Sequence, residues 1–182
     1  MHGLRTFLPL VVVFLCIPAI ETTGEIQSLP LISAGLGVVP RQDTSVAVAI
    51  DIEPRTCPNP LDARHDGQLP VAVLGSYEFD VTAVDVGSIL LAGVAPIHAS
   101  FRDVAAPVPD GSPSCACTTD GPDGSLDLLL KFPVGNIVDV LDQINDGDVI
   151  SLTLTGTLLP ERGGTPFSGS DCIVVRLKKP HK

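Results

Sequence analysis

Residues 114–132 read SCACTTDGPDGSLDLLLKF: two cysteines one residue apart, then three aspartates and two glycines before an apolar run. Thiolates spaced this way could hold a soft metal. A closed zinc site, however, wants four nitrogen or sulfur ligands, and no spacing requires His65 or His98 to join Cys115 and Cys117. Redox cysteines usually form C-x-x-C at a helix N-terminus, whereas this is C-x-C in a Pro/Gly-rich loop. The chemistry that fits is disulfide formation in an exported protein, with Cys57, Cys115, Cys117 and Cys172 as candidates. Four cysteines allow three connectivities. A Cys115–Cys117 bridge would close a tight ring, so at least one of the two is expected to pair with Cys57 or Cys172.

Hydrolytic chemistry finds less support. His65-Asp66 precedes Gly67 in a turn-like segment, and no G-x-S-x-G elbow is present to activate a serine. Ser76, Ser88 and Ser100 carry no local sign of activation. Asp51 and Glu53 alternate with apolar residues and read as the outward face of a strand. Glycoside hydrolysis needs a pair of acids, and nothing in the sequence singles a pair out. The chain therefore reads as non-enzymatic, with no catalytic residue assigned.

The elements that must position these residues are mostly strands. In SVAVAIDIE, Val46, Val48, Ile50 and Ile52 share one face with period two. LPVAVLG, VGSILLAGVAPI, IHASFRDV and SLDLLLKF follow as further strands, with a turn-rich connection CPNPLDARHDGQLP after the first. VISLTLTGTL turns Ile150, Leu152 and Leu154 inward and Ser151, Thr153 and Thr155 outward; SDCIVVRLK places Ile173, Val175 and Leu177 on one face. One helix is expected after Pro133, with Val134, Ile137, Leu141 and Ile144 on one side and residues 145–147 stopping it. About seven half-buried alternating strands with one short helix predict an all-β, Ig-like antiparallel β-sandwich over residues 44–178. Residues 25–43 form an irregular lead-in, and residues 179–182 a solvated basic tail.

The N-terminal 24 residues have a signal-peptide layout: Arg5, an apolar run over 7–17, then small residues. Cleavage is expected after Gly24, with Ala19 as the alternative site. Acylation at Cys16 would want a small residue where Leu15 stands. Removing the leader leaves four cysteines, an even number suited to an oxidising compartment. The net charge of −10 argues against nucleic acid or an anionic membrane as partner.

The ordered blocks IDIEPRTCPNPL, GQLPVAVLGSYEFDVTAVDVGSILLAGVAPI, RDV, GPDGSLDLLLKF, LTLTGTLL and GTPFSGSDCIVV span about residues 50–175. Together they resemble a poorly characterised β-sandwich module of secreted and cell-surface bacterial proteins. In many members an Asp-Val pair runs straight into a short Asp/Asn/Gly loop resembling a calcium loop. Here Asp103 and Val104 match its start, and Asp123, Gly124 and Asp127 its end. An insertion of roughly residues 105–120 lies between, with Gly121 and Pro122 where a middle oxygen ligand is expected. Asp103, Asp120, Asp123 and Asp127 could supply four oxygens to Ca2+, with carbonyls and water completing the shell. The plainer alternative makes Asp123-Gly124 a turn and Asp127 a solvent-facing strand residue.

The resemblance implies a secreted or cell-surface module with a structural or binding role, its partner an unidentified protein or glycan. The alternative is a calcium-stabilised carbohydrate-binding module. No cofactor other than possible Ca2+ is called for.

Overall fold

The structure, a computed structural model, describes residues 45–177. The expected signal peptide, the lead-in and the basic tail lie outside the described residues. Among the described residues nine strands form two sheets, with one α-helix, so the fold is all-β as the alternation implied.

The first sheet holds β1 (Val46–Ala47), β9 (Pro166–Arg176), β8 (Val149–Leu158) and β5 (Val84–Leu91) in that order, with β3 (Pro60–Asp62) also on β9. The second runs β2 (Ile50–Ile52), β4 (Gln68–Val73), β7 (Leu128–Pro133), β6 (His98–Phe101). Ile52, Val71 and Leu130 of the second sheet meet Leu152, Leu154 and Ile173 of the first in one buried core. Val48, Ile50 and Val175 join that core as their spacing required, while Ser151, Thr153 and Thr155 stay exposed.

Three expectations change. The run SVAVAIDIE is not one strand: it breaks at Val48-Ala49, giving β1 to one sheet and β2 to the other. The chain crosses tightly over β9 there, and a Cβ on Gly169 would stand 2.5 Å from the Val48 carbonyl oxygen. The sheets are also not purely antiparallel, because β1 and β3 both run parallel to β9. β3 lies inside the segment read as a turn-rich connection. Finally, the helix α1 covers Val134–Val140 and stops before Leu141. Val134, Gly135, Ile137, Val138 and Val140 are poor helix formers, so the last turn is lost. Leu141 and Ile144 still pack on the core from an irregular backbone.

The arrangement around β9 creates a gap. β8 covers one edge of β9 along its length. On the other edge, β1 pairs at Phe167 and Ser168 and β3 at Val174 to Arg176. Among the described residues no strand pairs with this edge over residues 169–173, where Asp171 and Cys172 lie.

Candidate functional site

The loop over residues 105–124 is stapled to this gap. Cys57–Cys117 joins it to the connection after β2, and Cys115–Cys172 joins it to β9. Both loop cysteines thus pair with distant partners, which selects one of the three connectivities. Cys115 adopts a left-handed backbone, φ 63°. That is a costly conformation for a residue with a Cβ, and it persists only where surrounding structure enforces it.

Beneath the loop lie two carboxylates. Asp51 is 6% exposed, on β2, and Asp171 is on β9 facing it across the sheets. Asp51 was expected to face outward. It faces the loop instead, because β2 is a short edge strand whose outer side the insertion covers. Asp171 Oδ2 accepts from the Ile52 N–H (2.8 Å) and from Asn59 Nδ2 (2.9 Å), and its Oδ1 accepts from the Cys172 N–H (2.7 Å). Asn59 Nδ2 also donates to the Cys172 carbonyl (2.9 Å). Asp171 thereby substitutes for the missing strand in the gap: it takes an N–H from the opposite sheet. Two buried oxygens remain without a partner, Asp51 Oδ2 and Asn59 Oδ1.

Burial pushes the Asp51 carboxyl up to about 7, helped by the negative charge of Asp171 and opposed by the Arg55 backbone N–H. Burial also raises Asp171, against the N–H groups of Ile52 and Cys172 and the Asn59 amide. A cavity of about 110 Å3 lies against both acids, walled by Ala106, Pro107, Cys117 and Thr118. Organic ligands usually occupy about 300–1,000 Å3. The space between the two acids suits an ion or a few waters. Sequence reasoning missed Asp171 and Asn59. The available signal was position: Asp171 precedes Cys172, and Asn59 follows Cys57 by two residues.

Of the four aspartates read as calcium ligands, Asp103, Asp123 and Asp127 accept hydrogen bonds from backbone amides. Asp103 Oδ1 accepts from the Asp123 N–H (3.1 Å) and Oδ2 from the Gly124 N–H (2.9 Å), bridging the two ends of the insertion. Asp123 Oδ1 accepts from the Ser125 N–H (2.8 Å). Asp127 is not solvent-facing. It is 1% exposed, and accepts from the N–H groups of Gly75 (3.1 Å), Val104 (2.8 Å) and Ala105 (3.3 Å). Its carboxyl is raised by burial, against those three donors. Asp120 is exposed in the loop, its N–H donating to Thr118 Oγ1 (3.0 Å). Both carboxylate oxygens of Asp103 and of Asp127, and one of Asp123, thus meet backbone amides. Among the described residues no three His, Cys, Asp or Glu side chains are grouped to hold a metal. In this arrangement backbone amides order the turn.

His65 and His98 are both exposed. His65 Nδ1 lies 2.9 Å from Asp62 Oδ2, beside the Arg64–Asp62 ion pair at 2.7 Å. The four cysteines are consumed in the disulfides.

Fold and site together define a disulfide-stapled, two-sheet β-protein suited to an oxidising environment. Among the described residues no helix is long and apolar enough to cross a membrane. Comparison of the chain with protein-family models, curated proteins and solved structures finds no match.

Proposed function

We propose that the chain is an exported, non-catalytic β-sandwich module with a structural or binding role at the cell exterior. One observation carries this reading: two disulfides fasten a Pro/Gly-rich loop across both sheets. Such a device persists where thiols are not kept reduced. The leader layout of residues 1–24 and the resemblance to secreted and cell-surface modules support the same address. Expression of the whole chain in an exporting bacterial host tests it. The exported protein is expected to begin near Glu25 or Ile20 and to contain no alkylatable thiol. Retention of Met1, or four reactive thiols, overturns the reading.

Carbohydrate binding is a second reading with one surface feature behind it. Tyr77, the chain's single tyrosine, is fully exposed beside Phe79, Asp80 and Leu126 on a concave surface. An exposed aromatic ring next to hydrogen-bonding groups is a platform on which a sugar ring can stack. A glycan panel probed with the wild type and with Tyr77→Ala decides this: binding lost in the variant supports it, and no binding by either removes it.

A further inference from the structure

The cavity under the stapled loop brings together features that a closed protein interior normally avoids. Two carboxylates share it, and one of them, Asp51, has a buried oxygen with no partner. An unpaired buried carboxylate oxygen is costly. Nearby, the buried Asn59 Oδ1 is also unpartnered, while the same amide donates to Asp171. Among the described residues no lysine or arginine lines the cavity, so none of them supplies a counter-ion there.

We propose that Asp51 and Asp171, under the disulfide-stapled loop, bind a divalent cation of calcium's size and hardness. Carboxylate lone pairs decide which ligands are open. An ionised carboxylate has about four acceptor sites. Asp171 spends three of them on Ile52, Asn59 and Cys172. Asp51 Oδ2 spends none, so Asp51 is the principal ligand and Asp171 contributes the remaining site. Two carboxylates neutralise one divalent ion. Calcium tolerates a mixed, irregular shell of carboxylate, carbonyl and water, whereas magnesium demands near-ideal octahedral geometry. The cavity's 110 Å3 leaves room for waters beside the ion. The site differs from the turn of Asp103 and Asp127, whose oxygens are taken up by backbone amides.

The inference goes beyond the proposed exterior role and does not depend on it. The test uses chelator-treated, disulfide-intact protein at pH 8, titrated with calcium chloride. The melting temperature of the wild type is expected to rise by about 5 °C in 10 mM calcium, for a millimolar extracellular-type site. Asp51→Asn should lose this response, and Asp103→Asn should keep it. Absence of any response in the wild type overturns the proposal and leaves the cavity to water. A response kept in Asp51→Asn and lost in Asp103→Asn places the ion at the turn and also overturns it. Manganese broadening of backbone amide NMR signals locates the ion without any variant. Loss of the Asp51, Ile52 and Cys172 signals supports the site; loss confined to Asp123, Gly124 and Ser125 refutes it.

Discussion

Asp127→Ala is the most informative single substitution for the fold. Its carboxylate gathers three backbone N–H groups from two separate segments, Gly75 after β4 and Val104-Ala105 at the root of the insertion. Alanine leaves all three donors without that acceptor in a buried setting. Each buried orphan costs about 1–3 kcal/mol. Water entering beside the partly buried Val104 recovers part of that, as does relief of the buried charge. We expect a net loss of about 3–5 kcal/mol, a large share of the roughly 5–15 kcal/mol that holds a domain. Asp127→Asn keeps one acceptor oxygen and should lose less. Gly75→Ala attacks the same junction sterically, because its Cβ would stand 2.1 Å from the Leu126 carbonyl oxygen. The assay is urea unfolding at pH 7 with disulfides intact, paired with hydrogen exchange at residues 75, 104 and 105. Those amides should lose protection in Asp127→Ala. Stability within about 1 kcal/mol of wild type, with protection retained, would refute the claim that Asp127 ties the insertion to the sandwich.

Three further outcomes are expected. Reduction of Cys57–Cys117 and Cys115–Cys172, whose loops span 60 and 57 residues, should lower the melting temperature by about 10–20 °C, since one such bridge contributes about 4 kcal/mol in the chain-entropy view; a smaller drop than chelation produces would show the staple to be secondary. Leu152→Ala, at a 1% exposed position, should cost about 2–5 kcal/mol in denaturant unfolding, whereas Thr153→Ala loses only a surface hydrogen bond with Ser170 and should cost under about 1 kcal/mol; equal losses would sink the two-faced β8. In chelator, stability should fall as pH rises from about 4 to 7, because native Asp51, raised from 3.8 to about 7 by burial and Asp171, holds its proton after the unfolded chain has released it. The drop is fully developed above pH 7 and amounts to at most about 4 kcal/mol, so Asp51→Asn should flatten that part of the pH profile relative to wild type, and an unchanged profile would mean that Asp51 is not buried as an acid.

The strand faces were legible because side-chain alternation is a local property. Leu152 against Thr153, or Ile173 and Val175 on one side, follows from a period of two whichever strand lies alongside. The same reasoning recovered the disulfide cysteines from type and parity, since an even set in an exported chain has few other uses. It failed where placement depends on a neighbour distant in sequence. Asp51 has the spacing of an outward residue, and would be one on an uncovered edge. Only the insertion, fastened at Cys57 and Cys172, covers that edge and makes its carboxylate a buried one. Asp127 alternates as a surface residue would, yet it is buried because the chain near Gly75 and Val104 turns three amides toward it. The pairing of the cysteines, the break of the first strand between two sheets, and the gap on β9 that Asp171 fills belong to the same category. Local chemistry determined which residues could be inside. Long-range pairing, which juxtaposes segments more than a hundred residues apart such as Ile52 and Asp171, decided which charged groups were brought in with them.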